Sequence, residues 1–254
     1  MSASTLASDL ELAHQLAAVA SEVALHSFQR GVTTRLKADG TQVTETDLEI
    51  ERCLKELLAR HRPDDAVLGE ELGESGASKR RWLLDPIDGT SNFVSGSADW
   101  GTHVALLQDG HVVLGVITRP VLGRTWASRG SGAYRTEMNS SSGAVRLQVS
   151  RINELRESRV TFWSSEPHPI VARLQRSASW VKPDLNAILR VAEGELEAII
   201  DPSGKPWDHA PAVVIVEEAG GRFSDCAGGQ RLDLGEGRYT NGLIHAELER
   251  LLEA

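Results

Sequence analysis

The chain of 254 residues has only two cysteines, Cys53 and Cys226, far apart and without metal-type spacing. That scarcity excludes a disulfide framework and a thiolate zinc site, and it makes a reducing cytoplasm the expected home. Basic residues are also in the minority, 27 Lys and Arg against 36 Asp and Glu, giving a formal net charge of -9. Affinity for phosphate backbones and anionic membranes comes largely from Lys and Arg clusters, so neither a nucleic-acid nor a membrane partner is expected. The one short basic run, Lys79-Arg80-Arg81, reads as a solvated loop. No apolar run reaches the roughly 18 to 20 residues that a membrane span needs. The segment Met1 to Ala20 lacks the charged start and apolar core of a secretory signal. There is no internal repeat, heptad run or low-complexity tract beyond Asn139-Ser140-Ser141-Ser142-Gly143, which reads as a flexible surface loop. No Ser-His-Asp spacing is evident, and the eight histidines form no metal motif such as His-Glu-x-x-His. A covalent enzyme intermediate is therefore not expected.

A 41% hydrophobic content is enough for a sizeable core. The expectation is a single unit over 1–254, built as an α+β half over about 1–150 and a second half over about 151–254. Ser8 to Arg30 places apolar residues at helical spacing, with Gly31 as the stop, and a second helix is expected over about Thr46 to Arg60, with Thr44 and Asp47 as its start signal. Strands are expected from Ala66, at Trp82 to Leu84, Thr102 to Leu107, Val112 to Thr118, Arg124 to Ser128 and Val145 to Val149. Gln108-Asp109-Gly110 marks a hairpin between two of them. After Val160 the pattern alternates: a strand, a helix near Pro169 to Ser177, a helix from about Leu185 to Glu193, a strand at Leu196 to Ile200 and a helix over Asp208 to Ala219. This order is α+β. Trp126, Trp163 and Trp180 read as packing groups. The small residues from Gly73 to Ala77 read as a mobile lid.

The chemistry concentrates in Trp82-Leu83-Leu84-Asp85-Pro86-Ile87-Asp88-Gly89-Thr90. Mg²⁺ takes oxygen ligands in near-octahedral geometry and shares its shell with substrate phosphates. Asp85 and Asp88 offer two such ligands, and the Ile87 carbonyl a third. Gly89 lets the backbone turn and approach a ligand, and the following amides, opening a helix, would face an anion. Two further acidic clusters end apolar elements, at Gly69-Glu70-Glu71 and around Trp207-Asp208-His209, so the three read as one convergent site.

With Glu218-Ala219-Gly220-Gly221 and Ser91-Asn92-Phe93, these segments resemble the inositol monophosphatase family of Mg²⁺-dependent phosphomonoesterases, in order and spacing, over most of the chain. The resemblance implies a layered α-β-α-β-α sandwich of the inositol monophosphatase and fructose-1,6-bisphosphatase type. It implies that Glu70, Asp85, Asp88, Asp208 and the Ile87 carbonyl hold two or three Mg²⁺ ions. It further implies that Asp47 and Thr90 orient the attacking water, that Gly89 and Thr90 bind phosphate, and that the protein is a homodimer. Glu70 is expected to help hold Thr90. Asp47 has a second reading as the dipole partner of a helix first turn.

The substrate class implied is a small phosphorylated alcohol, hydrolysed to alcohol and inorganic phosphate by water at phosphorus. Where many inositol phosphatases carry an arginine and a glycine step, this chain has Ser179-Trp180-Val181-Lys182-Pro183-Asp184. The histidinol-phosphate phosphatase branch is similar in having acids at Asp184 and Asp201, in Trp100 and in Thr240-Asn241-Gly242. A cationic amino alcohol suits such acids, so histidinol phosphate is favoured over inositol 1-phosphate. Lys182 is a candidate phosphate contact or a solvated lysine, Asp184 a substrate contact or a helix start, and His209 a candidate substrate contact. His103 reads as a buried or edge histidine. A protein of another class, a metabolite-binding regulator that keeps the fold without catalysis, is the remaining alternative.

Overall fold

The computed structural model describes residues 3–37, 40–138, 143–164 and 167–253. Most of the serine loop, 139–142, lies outside them. Helix α1 (Ala3–Phe28) and helix α2 (Glu45–His61) flank a small ribbon of β1 (Thr34–Leu36) and β2 (Gln42–Thr44). The large sheet contains β3 (Ala66–Gly69), β4 (Gly73–Ser75), β5 (Arg80–Asp88), β6 (Gly101–Gln108), β7 (His111–Arg119), β8 (Gly123–Ser128), β9 (Gly132–Glu137) and β10 (Val145–Arg146), in the order β10-β9-β8-β7-β6-β5-β3-β4. Only β3 and β5 pair in parallel there; the rest form antiparallel neighbours. The short helix α3 (Thr90–Val94) follows β5 directly.

A five-stranded sheet forms from β11 (Arg159–Phe162), β12 (Ser179–Trp180), β13 (Ala198–Asp201), β14 (Arg222–Ser224) and β15 (Gly237–Thr240) in the order β12-β11-β13-β15-β14. Around it lie α4 (Pro169–Ser177), α5 (Ala187–Ala192), α6 (Pro206–Glu218) and α7 (His245–Glu253).

Strand periodicity builds the layers. Along β5, Trp82 and Leu84 turn into the core under α1 and α2, while Leu83 turns into the core under α6. In the smaller sheet Ile199 joins the α6 side and Ala198 and Ile200 join Leu174 and Leu248 beneath α4 and α7. The result is helix, sheet, helix, sheet, helix, the architecture expected. Helix α6 lies between the two sheets, which is why Ala212, Val213, Val214, Ile215 and Val216 are all buried and it shows no polar face. Gly115 of β7 permits that contact: a Cβ there would stand 2.5 Å from Pro211 Cα.

Several boundaries differ from expectation. The strand at Val145 stops at Arg146, because Val149 N turns away to bond the Ala219 carbonyl at the end of α6. The expected lid is instead β4 for Gly73–Ser75, paired antiparallel to β3 and tied by Glu74 to Arg81 at 2.6 Å. The helix expected from Leu185 starts at Ala187, after a capping turn at Asp184.

Candidate active site

Asp85 and Asp88 are three residues apart, so in a regular strand their side chains would leave opposite faces. The ladder prevents this: Asp85 faces His103 and Asp88 faces Gly101, so β5 holds one extra residue between them. Such a bulge re-aims a side chain. Pro86, which has no N–H to give the ladder, sits in it, and its carbonyl accepts a bond from Thr102 Oγ1 at 2.8 Å. In consequence one ligand atom each from Asp85, Asp88, His103 and Asp208 lie within 4.8 Å of one another.

Gly89 follows in the left-handed region at φ 80 and caps α3. A Cβ there would stand 2.6 Å from Leu185 Cδ1. Thr90 Oγ1 donates to the Ile87 carbonyl at 3.0 Å and lies 3.5 Å from Asp47 Oδ1. Asp47 is the third residue of α2, and its other oxygen accepts from Thr44 N at 2.8 Å, closing a capping box with Thr44. Asp208 occupies the same position in α6, where Oδ2 accepts from Lys205 N at 2.7 Å. Glu70 follows β3, held by its amide to the Leu84 carbonyl at 3.1 Å and within hydrogen-bonding reach of Asp85.

Crowding sets the electrostatics. Burial raises the Asp85 carboxyl well above the usual range, and the charges of Glu70, Asp88 and Asp208 raise it further. Burial, then Asp88, pushes Asp208 up to about 8. Burial also raises Asp47. Asp85 Oδ1 is buried without a hydrogen-bond partner. A set of desolvated carboxylates that cannot all ionise together, one with an orphan oxygen, fits a hard divalent cation.

Four residues around this cluster were not singled out by the sequence. Lys37 Nζ bonds Glu70 Oε1 at 2.8 Å and Glu71 Oε1 at 2.7 Å. The buried Glu51 carboxylate accepts from the amides of Glu71 at 2.7 Å and Leu72 at 3.0 Å, so it shapes the turn that presents Glu70. His103, buried as expected, also lies in the cluster, 3.4 Å from Asp88 Oδ2. Burial holds it below its usual pKa, hence neutral. Pro211 cannot donate to the carbonyl four residues back in α6, and that carbonyl, Trp207 O, faces the His103 ring. Arg119 Nη2 stands 3.6 Å from Asp88 Oδ2.

A cleft of about 710 Å³ runs from Lys37, Glu70 and Thr90 to Lys205 and Trp207. Asp88, Ser203 and Asp208 join it to a recess of about 130 Å³ walled by Trp163, Asp184, Leu185, Ile188 and Asp201. Among the described residues Asp201 accepts backbone amides alone, from Ser203 at 3.1 Å and from Gly204, and burial pushes it up to about 6. Asp184 lines the recess too, but its oxygens are engaged by Asn186 N at 2.8 Å and Arg190 Nη1 at 2.9 Å, so it also starts the α5 turn.

Two substrate-contact candidates lie outside the walls of both cavities. Lys182 is exposed. His209 is 1% exposed and points inward, with Nδ1 2.8 Å from the Tyr239 hydroxyl; its placement one residue after Asp208 on a helix turns it away from the cleft. Trp163, read as a packing group, both packs against the core and walls the recess, whereas Trp126 and Trp180 only pack. Trp100 is a core residue, edge-on to Phe93 at 4.9 Å. Asn241 clamps the chain, donating to the Ile152 carbonyl at 2.7 Å.

A bulged Asp-Pro-Ile-Asp-Gly strand end, met by the first turns of α2 and α6 between layered sheets, defines a metal-dependent phosphatase fold. Residues 5–254 match the model of the inositol monophosphatase family, and the chain belongs to that Mg²⁺-dependent phosphatase family. The chain is 42% identical over 232 residues to a Streptomyces griseus protein named glucose-1-phosphate thymidylyltransferase, covering 89% of each. It is 34% identical over 254 residues to a histidinol-phosphatase of Streptomyces coelicolor, covering 94% of this chain and 95% of that one. The crystal structure of the extragenic suppressor protein SuhB from Bartonella henselae superposes with a TM-score of 0.84 at 26% identity, covering 97% and 98% of the two chains.

Proposed function

We propose that this phosphatase hydrolyses histidinol phosphate to histidinol and inorganic phosphate. The observation that carries this reading is Asp201: a carboxylate in the recess beside Asp88 and Asp208, with no basic side chain paired to it among the described residues. An ammonium group on the leaving alcohol would supply the missing counter-charge, in a partly desolvated setting where it counts for more. Trp163 and Ile188 face the same space and suit the flat imidazole ring. The recess, about 130 Å³, has room for a compact group on the leaving alcohol. The histidinol-phosphatase relative supports the same substrate.

In this reading Glu70, Asp85, the Ile87 carbonyl, Asp88 and Asp208 hold two or three Mg²⁺ ions. Bound there, the ions supply Lewis-acid stabilisation of charge on phosphate oxygens and a more acidic water. The amides of Gly89 and Thr90, at the start of α3, bind the phosphate oxygens. Thr90, fixed by Asp47 and the Ile87 carbonyl, orients the water in line with the leaving alcohol. The water oxygen bonds to phosphorus, the ester P–O bond breaks, and the leaving oxygen takes a proton.

Inositol 1-phosphate is a second reading, favoured by one observation: Asp184 is already paired with Arg190, and a carboxylate such as Asp201 can accept hydroxyl hydrogens as readily as it can pair with an ammonium. A phosphate-release panel with Mg²⁺ decides, using histidinol phosphate, inositol 1-phosphate, fructose bisphosphate and a 3'-phosphonucleotide. The highest kcat/KM is expected for histidinol phosphate. Asp201→Asn should raise its KM at least about tenfold, the effect of one lost charge-assisted contact, while shifting inositol 1-phosphate by less than about threefold. A higher kcat/KM for any other ester overturns the assignment.

A further inference from the structure

We propose that a third cavity, outside the catalytic cleft, binds a small oxyanion-bearing ligand through Arg124. It encloses about 330 Å³ between strands β7 to β9 and helix α5, with Arg119, Arg124 and Arg135 in its wall. That volume falls at the small end of the range for small-molecule sites. Ile117, Leu122 and Leu189 add apolar surface for a compact ligand body.

Two of the three cations in this wall are paired, and one is not. Arg135 is matched, by Glu193 at 3.1 Å and Glu137 at 3.3 Å, and those are the carboxylates of the wall. Arg119 is 4% exposed and donates Nη2 to the Leu185 carbonyl at 2.7 Å, yet its Nε and Nη1 are buried without a hydrogen-bond partner. Asp88 and Asp99, at 3.6 and 3.8 Å, balance its charge at ion-pair distance. Among the described residues Arg124 meets no carboxylate, reaching Thr118 Oγ1 at 3.5 Å and His14 Nδ1 at 3.4 Å.

A half-buried guanidinium without a carboxylate partner carries a desolvation cost that a ligand can offset. The planar fork of a guanidinium matches the oxygens of a phosphate or carboxylate. The cavity therefore selects an organic anion whose oxygens meet Arg124 and whose body rests on Leu122 and Leu189. It shares a wall with the catalytic site, since Arg119 adjoins Asp88 and its acceptor Leu185 packs over Gly89.

The test uses phenylphosphonate and the full-length chain in calorimetry. With EDTA present, the uncompensated carboxylates of the cleft repel the probe, so binding reports the arginine cavity and does not depend on which ester the enzyme hydrolyses. One equivalent per chain is expected for the wild type. Arg124→Gln should weaken it at least about tenfold, and Leu122→Trp, filling the cavity from a half-exposed wall position, should do the same. Phosphate release in Mg²⁺ should stay within about twofold in both variants. No binding to the wild type overturns the proposal, as does wild-type affinity in either folded variant. Should Arg124→Gln fail to fold by circular dichroism, Leu122→Trp decides alone.

Discussion

Replacing Asp208 with Asn should make the metal-free protein more stable while abolishing catalysis, because the native carboxylate is held where its charge is disfavoured. Asp208 is pushed up to about 8 in the folded chain from an ordinary value of 3.8. The folded state thus keeps a proton through a pH range where the unfolded chain has released it. Stability from this group is complete below pH 4 and is lost as pH rises towards 8. A shift of about four pK units corresponds to about 6 kcal/mol at full ionisation. Taking half of that, after relaxation and water entry, leaves about 3 kcal/mol, or roughly 6–12 °C in Tm for a chain of this size. Asn keeps an oxygen for the Lys205 amide, so the helix cap survives the change. Thermal unfolding in EDTA at pH 8 should show the variant melting above the wild type, with the gap closing by pH 5. With Mg²⁺ the order should reverse, since only the wild type gains by binding the ion to its native state. Equal melting temperatures in EDTA at pH 8, or no Mg²⁺-induced rise in the wild type, would refute the crowding argument.

Gly89→Ala forces a side chain into a positive-φ position 2.6 Å from Leu185 Cδ1. A loss of about 1–3 kcal/mol in Tm-derived stability is expected, with kcat down by at least about tenfold from the displaced turn. Thr44→Val removes the hydroxyl that accepts from the Thr46 and Asp47 amides; urea unfolding should register about 1 kcal/mol, and kcat should fall as Asp47 loses its anchor. Hydrolysis in ¹⁸O-labelled water should place the label in inorganic phosphate by mass spectrometry, and label in the alcohol instead would exclude attack at phosphorus.

The parts of the fold that could be read in advance are those whose signals are local. Asp109-Gly110 takes positive φ at both residues, 51 and 83, the turn that the hairpin signal requires. Thr44 and Asp47 form a helix start within four residues. The strand-helix step at Asp85–Thr90 is likewise contained in one segment. What escaped depends on sheet order. His103 joins the acidic cluster because β6 pairs with β5 in one register, and Lys37 reaches Glu70 across 33 positions of chain. β4 is three residues long and holds only as an edge partner of β3, so its Gly-Glu-Ser sequence gave no strand signal and suggested a lid. Helix α7 is amphipathic and detectable in principle; its apolar Leu248 becomes decisive only against the far face of the small sheet.

The two readings open for Asp47, helix-dipole partner and site residue, are compatible within one arrangement. A carboxylate has two oxygens. In Asp47, Oδ2 serves the Thr44 amide and Oδ1 faces Thr90. In Asp208, Oδ2 serves the Lys205 amide, while the group lies among the ligand atoms shared with Asp85 and Asp88. Each acid is thus fixed by the folding of its own first turn, where the positive end of the helix also favours its charge. That local anchoring offsets part of the repulsion that crowding creates, and it holds before any cation arrives. Acids introduced at mid-helix positions would lack it, and the same carboxylates would turn away from one another rather than wait together for a metal.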